Sequence, residues 1–160
     1  MKLERKFVGT RYYNERPVTA TDPCYKAGTW CTLSNINVKP GNYECVAWKA
    51  RLSYTGSDKK RHYYKRVFVC GIYLGGDPIP EEKFEEIGTI GVDSGLAGLF
   101  QDKPNYGDTQ WEKFCDNCDG KDYMIVDEGF FTETGYGDGG YPVFAAKNEN
   151  GEIVALEIRF

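Results

Sequence analysis

The sequence predicts a mainly β protein of the β-rich α+β class: an antiparallel sandwich or a partly open barrel with one short helix. Three observations predict this fold. Apolar and polar residues alternate with a period of two over most segments, turn-forming residues separate those segments, and one segment has the apolar spacing of a helix. The 160 residues are predicted to form a single domain, residues 1–160. A chain of this length can bury a core without disulfide or metal support.

Two hairpins account for most of the predicted sheet. Residues 41–54 and 62–74 alternate on either side of a turn that contains Gly56 and Asp58, and they form the first hairpin. The second joins residues 141–147 to residues 152–160 through a turn that contains an Asn-Gly pair, which is typical of tight hairpins. Shorter strands are predicted at residues 88–92, 96–100, 123–126 and 129–133.

Residues 107–118 form the predicted helix. Asp108 or Thr109 can cap its first turn, and Gly120 favours its end. Its apolar side is formed by Trp111, Phe114 and either Cys115 or Cys118. A second, shorter helical turn is expected over residues 81–87, because a proline stands just before it.

The charge is unevenly distributed along the chain. Residues 1–75 contain 14 Lys and Arg against 5 Asp and Glu, whereas residues 76–160 contain 6 against 19. This distribution favours electrostatic complementarity within one domain. Residues 59–66 mix basic and aromatic side chains, a combination that can hold phosphates and stack bases. The acidic total and the position of this segment beside a turn argue against nucleic acid as a partner.

The expected compartment and membrane contacts follow from two simpler observations. The sequence contains no apolar run of the roughly 20 residues that a membrane span requires, so no membrane partner is expected. Its first residues are charged and do not resemble a signal peptide, so a cytoplasmic location is expected. The oligomeric state is left open.

Six cysteines stand at positions 24, 31, 45, 70, 115 and 118. For a cytoplasmic protein they are expected to be free thiols packed as small apolar residues, with no cofactor. The alternative is a structural zinc site, because the two cysteines at 115 and 118 have the spacing of a metal knuckle. Its ligands would be Cys24, Cys31, Cys115 and Cys118.

Three segments resemble a known family. They are the sequence Val-Asp-Ser-Gly-Leu-Ala-Gly at residues 92–98, the sequence Gly-Tyr-Gly-Asp-Gly-Gly-Tyr-Pro-Val at residues 135–143, and Thr-Asp-Pro-Cys-Tyr at residues 21–25. Together with the C-terminal hairpin they are similar to the bacterial and phage proteins grouped as domain of unknown function 4241. The resemblance implies a cytosolic, β-rich domain. It implies no activity and no catalytic residues, since none is assigned to that family.

Three aspartates on tight, glycine- or proline-containing loops are the candidate site. Loops held by a rigid sheet often carry function, so we expect these loops to frame one ligand cleft together with three tyrosines. The predicted ligand-binding residues are Asp22, Tyr25, Asp93, Tyr136, Asp138 and Tyr141. The competing interpretation is that each aspartate only holds its own turn through side-chain hydrogen bonds to the backbone.

These patterns favour a non-catalytic binding or interaction protein, whose ligand would be a small molecule, a nucleotide signal or a protein. The alternative is a small carboxylate- or metal-dependent hydrolase that uses Asp93 and Asp138. A histidine-based triad would depend on His62, since the sequence contains one histidine. The two hypotheses differ in whether Asp93 and Asp138 face each other across a pocket.

Overall fold

The computed structural model describes residues 2–26 and 28–160. Along these residues the chain forms eleven strands, one 3₁₀ turn (Glu81–Lys83) and one helix, α1 (Trp111–Cys118). The strands are β1 (Glu4–Tyr13), β2 (Val18–Thr21), β3 (Leu33–Ile36), β4 (Gly41–Thr55), β5 (Arg61–Leu74), β6 (Phe84–Val92), β7 (Leu96–Phe100), β8 (Tyr123–Val126), β9 (Gly129–Glu133), β10 (Gly139–Lys147) and β11 (Ile153–Arg159).

The strands form two antiparallel sheets. The six-stranded sheet has the order β1-β4-β5-β11-β10-β6, and the five-stranded sheet has the order β3-β2-β7-β9-β8. The sheets do not close into a barrel. The β-rich fold with one short helix is therefore confirmed, and of its two predicted forms the sandwich is the one observed.

Both predicted hairpins are confirmed, and each contains a register irregularity. In the first, Trp48 pairs with Val69 and Lys49 pairs with Val67, which leaves Phe68 as an extra residue in β5. Such a bulge lets consecutive side chains turn inward, and Val67 and Phe68 are both buried. In the second, Ala146 pairs with Ala155 and Lys147 pairs with Ile153, which leaves Val154 as an extra residue in β11.

Apolar side chains form three layers. The main core lies between the sheets and includes Tyr13, Tyr43, Ile72, Leu99 and Phe130, all of them fully buried. A second cluster joins α1 to the outer face of the five-stranded sheet. A third cluster covers part of the outer face of the six-stranded sheet. Ile79, in the segment that links β5 to β6, and Phe84, the first residue of β6, pack against this third cluster.

The helix occupies the predicted segment but begins differently. Residue Gln110 is its N-cap and makes no side-chain capping bond. The predicted cap at Asp108 or Thr109 is wrong, because the Asp108 carboxylate instead accepts the backbone N–H of Asn105 in the preceding turn. The helical turn expected over residues 81–87 is limited to Glu81–Lys83, since strand β6 begins at Phe84 and pairs with β10.

Within residues 2–26 and 28–160, no helix combines the length and the apolar character needed to cross a membrane.

Two glycines provide a direct test of the sheet packing. A Cβ atom at Gly129 would lie 2.2 Å from the Leu99 carbonyl oxygen, a backbone atom that cannot move aside. A Cβ atom at Gly140 would meet nothing closer than 3.8 Å. We expect Gly129→Ala to lower the free energy of unfolding by about 2 kcal/mol or more and Gly140→Ala to change it by less than about 0.5 kcal/mol. Urea denaturation of both variants measures the difference, and equal values would contradict the packing described for β7 and β9.

Candidate functional site

Asp22 is fully buried, and its carboxylate accepts four hydrogen bonds. Its Oδ1 accepts the backbone N–H of Cys24 at 2.8 Å and the Ser94 hydroxyl at 2.7 Å. Its Oδ2 accepts the backbone N–H groups of Asp93 and Ser94 at 2.8 and 2.7 Å. A carboxylate with this many donors has little remaining capacity for a ligand. Asp22 therefore holds the loop after β2 against the β6–β7 turn.

The other two predicted aspartates lie at the same end of the sandwich. Gly139 pairs with Val92 in the β6–β10 ladder, so the register places Asp138 opposite Asp93. Both side chains belong to exposed residues. Tyr25 lies beside them, because a Cβ atom built on Gly91 would be 3.8 Å from its ring.

The electrostatics of Tyr25 support this placement. Burial raises the pKa of the Tyr25 hydroxyl, and the neighbouring Cys31 thiol raises it further. The carboxylates of Asp22, Asp93 and Asp138 act on the Tyr25 pKa in the same direction. The structure thus brings the three aspartates and Tyr25 into one neighbourhood.

The two remaining predicted tyrosines have different environments. Tyr141 is buried, its hydroxyl donates to the Gly137 carbonyl at 2.7 Å, and its ring packs against Phe160. It supports the glycine-rich loop from beneath. Tyr136 is 65% exposed and contacts Phe68 edge to face. Of the six predicted residues, Tyr25, Asp93, Tyr136 and Asp138 are left with surface that a ligand could reach.

Three cysteines and one lysine pack against the Asp22 loop. Burial raises the pKa of the Cys24 thiol to about 12, and the adjacent Cys115 thiol contributes in the same direction. Burial also raises the pKa of Cys118 to about 12. The Lys103 ammonium, whose own pKa burial lowers, donates to the Tyr25 carbonyl at 2.5 Å. Protonated thiols are poor nucleophiles, so this cluster packs the helix rather than supplying a reactive sulfur.

The alternative zinc ligands are not arranged as a metal site in the described part of the chain. Cys24 and Cys115 interact directly, whereas the Cys31 sulfur lies 3.2 Å from the Thr29 hydroxyl and its backbone carbonyl accepts the N–H of Gly91. Among residues 2–26 and 28–160, no three His, Cys, Asp or Glu side chains are placed to hold a metal ion. None of the six cysteines forms a disulfide with another described residue.

A cavity that the sequence did not predict lies on the outer face of the six-stranded sheet. Its volume is about 600 Å³, which falls in the range of small-molecule sites. Four separate chain segments supply its apolar walls, which are formed by Trp48, Val69, Ile79 and Phe84. The floor is polar and belongs to Tyr73, Glu157 and Arg159. None of these residues is among the six predicted from the loops.

A continuous hydrogen-bond chain fixes the floor of this outer-face cavity. The Trp48 indole N–H donates to the Tyr73 hydroxyl at 2.7 Å, and that hydroxyl donates to Glu157 at 2.8 Å. Arg159 donates to the other oxygen of Glu157 at 2.7 Å. It also donates through both of its terminal nitrogens to Glu81, whose side chain is 75% exposed. Tyr73, Glu157 and Arg159 are thereby held in fixed orientations by one another.

Both arginines that line the cavity are paired with carboxylates, whereas one of its carboxylates is not paired with a basic residue among those described. Arg5 pairs with Glu44 at 2.5 Å, and Arg159 pairs with Glu157 and Glu81. Asp77, on the rim, makes no ion pair or side-chain hydrogen bond with any described residue. The uncompensated charge at this cavity is therefore negative.

Sequence reasoning missed the cavity because its residues are far apart along the chain and carry no motif. One signal was present. Trp48 and Tyr73 are large aromatics on the strand faces that point away from the main core, and Glu157 and Arg159 occupy the same face of β11. Aromatic and charged residues together on an outward face of a sheet indicate a covered surface rather than a solvated one.

Comparison with protein-family models, with curated proteins and with solved structures gives no match for this chain.

Replacing the buried carboxylate should destabilise the protein. In Asp22→Asn an amide nitrogen would face backbone N–H donors, leaving at least one of them buried without an acceptor. We expect a loss of about 3 kcal/mol in the free energy of unfolding, measured by urea denaturation. Asp93→Asn is the matched control, because that side chain is exposed, and its effect should stay within about 0.5 kcal/mol. A neutral Asp22→Asn variant would show that the four bonds do not hold the loop.

The buried thiols should make the protein less stable in alkali. The pKa of Cys118 is about 12 in the folded state and about 8.5 in an unfolded chain. Above the unfolded value the unfolded chain releases a proton that the folded protein retains, so stability present below pH 8.5 is lost as the pH rises toward 12. This residue contributes at most about 1.4 kcal/mol per pH unit. Urea midpoints at pH 8, 9 and 10 should fall less steeply in Cys118→Ala; parallel slopes would contradict the assignment.

Proposed function

We propose that this protein is a non-catalytic binding protein, and that the outer-face cavity takes up a small molecule with an aromatic or aliphatic body and a positively charged amine. The observation that carries the proposal is the cavity itself, with apolar walls above a floor of fully engaged polar groups. Apolar walls with a few oriented polar groups are the usual construction of small-molecule sites.

The shape and chemistry of the walls support an apolar ligand body. Trp48 and Phe84 offer aromatic surface, and Ile79 closes one side from the β5–β6 segment. Burial of ring or chain carbons against these side chains contributes about 25 cal/mol per Å² of apolar surface removed from water. The floor groups already have partners within the protein, so a ligand body can pack over them without having to replace their hydrogen bonds.

The charge balance supports an amine over an acid. Both arginines at the cavity are neutralised by their own carboxylates, so a ligand carboxylate would have to displace one of them. A protonated amine can instead approach Asp77 on the rim, and the Trp48 ring face attracts cations. The cavity is lined by neither Asp93 nor Asp138, the carboxylates of the hydrolase hypothesis, so the proposed binding does not depend on them.

A matched set of small aromatic probes tests the proposal. The set is 2-phenylethylamine, 2-phenylethanol and 3-phenylpropionate, which share a ring and differ in charge. The reporter is the fluorescence of Trp48 in a Trp30→Phe, Trp111→Phe background, where it is the remaining tryptophan. We expect the amine to bind with a Kd on the order of 1 mM, the alcohol more weakly and the acid weakest.

Two variants separate the contributions of charge and shape. Asp77→Asn should weaken the amine about threefold to fivefold and leave the alcohol unchanged, since only the ion pair is removed. Val69→Phe fills the cavity and should abolish binding of all three probes. Equal binding of the amine and the acid would overturn the charge assignment. Binding that survives Val69→Phe, in a variant with an unchanged melting temperature, would place the ligand elsewhere.

A further inference from the structure

The first hairpin extends beyond both of its neighbouring strands. The pairing of β1 with β4 begins at Lys49, and the pairing of β11 with β5 begins at Val69. Residues 50–55 pair only with residues 61–66. This free end of β4 and β5, residues 50–66, is here named the ribbon. Six residue pairs at about 3.3 Å each give it a length of roughly 20 Å.

The ribbon has an excess of basic residues in a chain whose net charge is negative. It contains six Lys and Arg and one acidic residue, Asp58. Asp58 is engaged by His62 at 2.9 Å and by the Lys60 backbone N–H. At the base of the ribbon, Lys65 pairs with Glu4 and Arg66 pairs with Glu133. Among the described residues, Lys59, Lys60 and Arg61 form no salt bridge, so the tip presents uncompensated positive charge.

Aromatic rings occupy one face of the ribbon beside this charge. The register places Tyr54 opposite His62 and Leu52 opposite Tyr64. Tyr54 stacks on His62 with ring centroids 5.2 Å apart, and Tyr64 contacts Tyr54 edge to face at 6.0 Å. Tyr54 is 56% exposed. A cleft of about 400 Å³ opens here between Tyr54, Tyr64 and Gly135, with Lys65 and Arg66 on its rim.

From these observations we propose that the ribbon is a binding surface for single-stranded nucleic acid. A base stacks in the cleft against the Tyr54 and Tyr64 rings, and the phosphates lie along the basic tip. Stacking platforms bordered by basic side chains are how proteins bind single strands without reading their sequence. The salt bridges of the ribbon to acidic residues outside it lie at its base, where Lys65 pairs with Glu4 and Arg66 pairs with Glu133. The site is independent of the outer-face cavity.

Fluorescence anisotropy with labelled 12-nucleotide oligothymidine and oligouridine, against a 12-base-pair duplex, tests the proposal in 50 mM KCl. We expect both single strands to bind and the duplex to bind at least tenfold more weakly. Tyr54→Ala should weaken single-strand binding about tenfold, and Tyr54→Phe should retain it, because the stacking surface is kept. Similar affinity for duplex and single strand, with no effect of Tyr54→Ala, would overturn the proposal.

Two triple Lys/Arg→Glu variants that change the net charge equally distinguish binding by the ribbon from a general effect of net charge. Lys59→Glu, Lys60→Glu, Arg61→Glu should abolish binding, and the milder Gln triple should lower the slope of log Kd against log salt by about 2. The control Lys83→Glu, Lys113→Glu, Lys121→Glu changes exposed residues elsewhere and should stay within threefold of the parent protein. Equal losses in both Glu triples would overturn the proposal.

Photocrosslinking of 5-iodouridine oligonucleotides uses the unmodified protein, so it tests the proposal even if a variant fails to fold. The label should be found on Tyr54 or Tyr64, and labelling confined to other residues would also overturn the proposal.

Discussion

The buried carboxylate of Asp22 is the constraint on which the arrangement of the two sheets depends. Strand β6 ends the six-stranded sheet and β7 continues in the five-stranded sheet, so the turn between them is a crossover. Asp22 follows β2, a neighbour of β7, and accepts two backbone N–H groups of that turn. An isolated charge without donors would be very unfavourable in this position. The carboxylate is stable there only when both loops are in place, which couples the closing of this end to the formation of both sheets.

Because of this coupling, the end of the sandwich that carries Asp22, Asp93 and Asp138 has a structural role. The Asp22 carboxylate is fully hydrogen-bonded within the protein. Strand register holds Asp93 and Asp138 opposite each other, and Tyr141 supports the glycine-rich loop from the core. What remains accessible is a shallow surface of Tyr25, Tyr136 and two carboxylates. The outer face of the six-stranded sheet differs in kind, because Trp48, Tyr73, Glu157 and Arg159 form a hydrogen-bonded chain there between apolar side chains. Ligand binding is therefore best supported where the sheet, rather than the loops, supplies the contacts.

Sequence periodicity predicted the parts of the fold that depend on neighbouring residues. The two hairpins and the strands at 96–100, 123–126 and 129–133 have a local signal, since alternation and turn chemistry are read within a few residues. The helix was located by its apolar spacing, but its start was not, because the Asp108 carboxylate accepts the Asn105 N–H in the preceding turn and does not cap the helix. The cavity could not be predicted, because Trp48, Ile79 and Glu157 meet only after β4, β5 and β11 have paired. The hydrogen-bond partners of Asp22 could not be predicted for the same reason, because Ser94 is far from Asp22 in the sequence.

Pro142 disfavours an incorrect register in the C-terminal hairpin. It lies in the part of β10 that pairs with β6 but extends beyond the first partner of β11. A proline has no N–H to donate, so it is tolerated at this position, which precedes the first pair of the β10–β11 ladder. If β11 slipped further along β10 during folding, the new ladder would include Pro142 and lose a hydrogen bond there. Hairpins misaligned in this direction are thereby less stable than the native one.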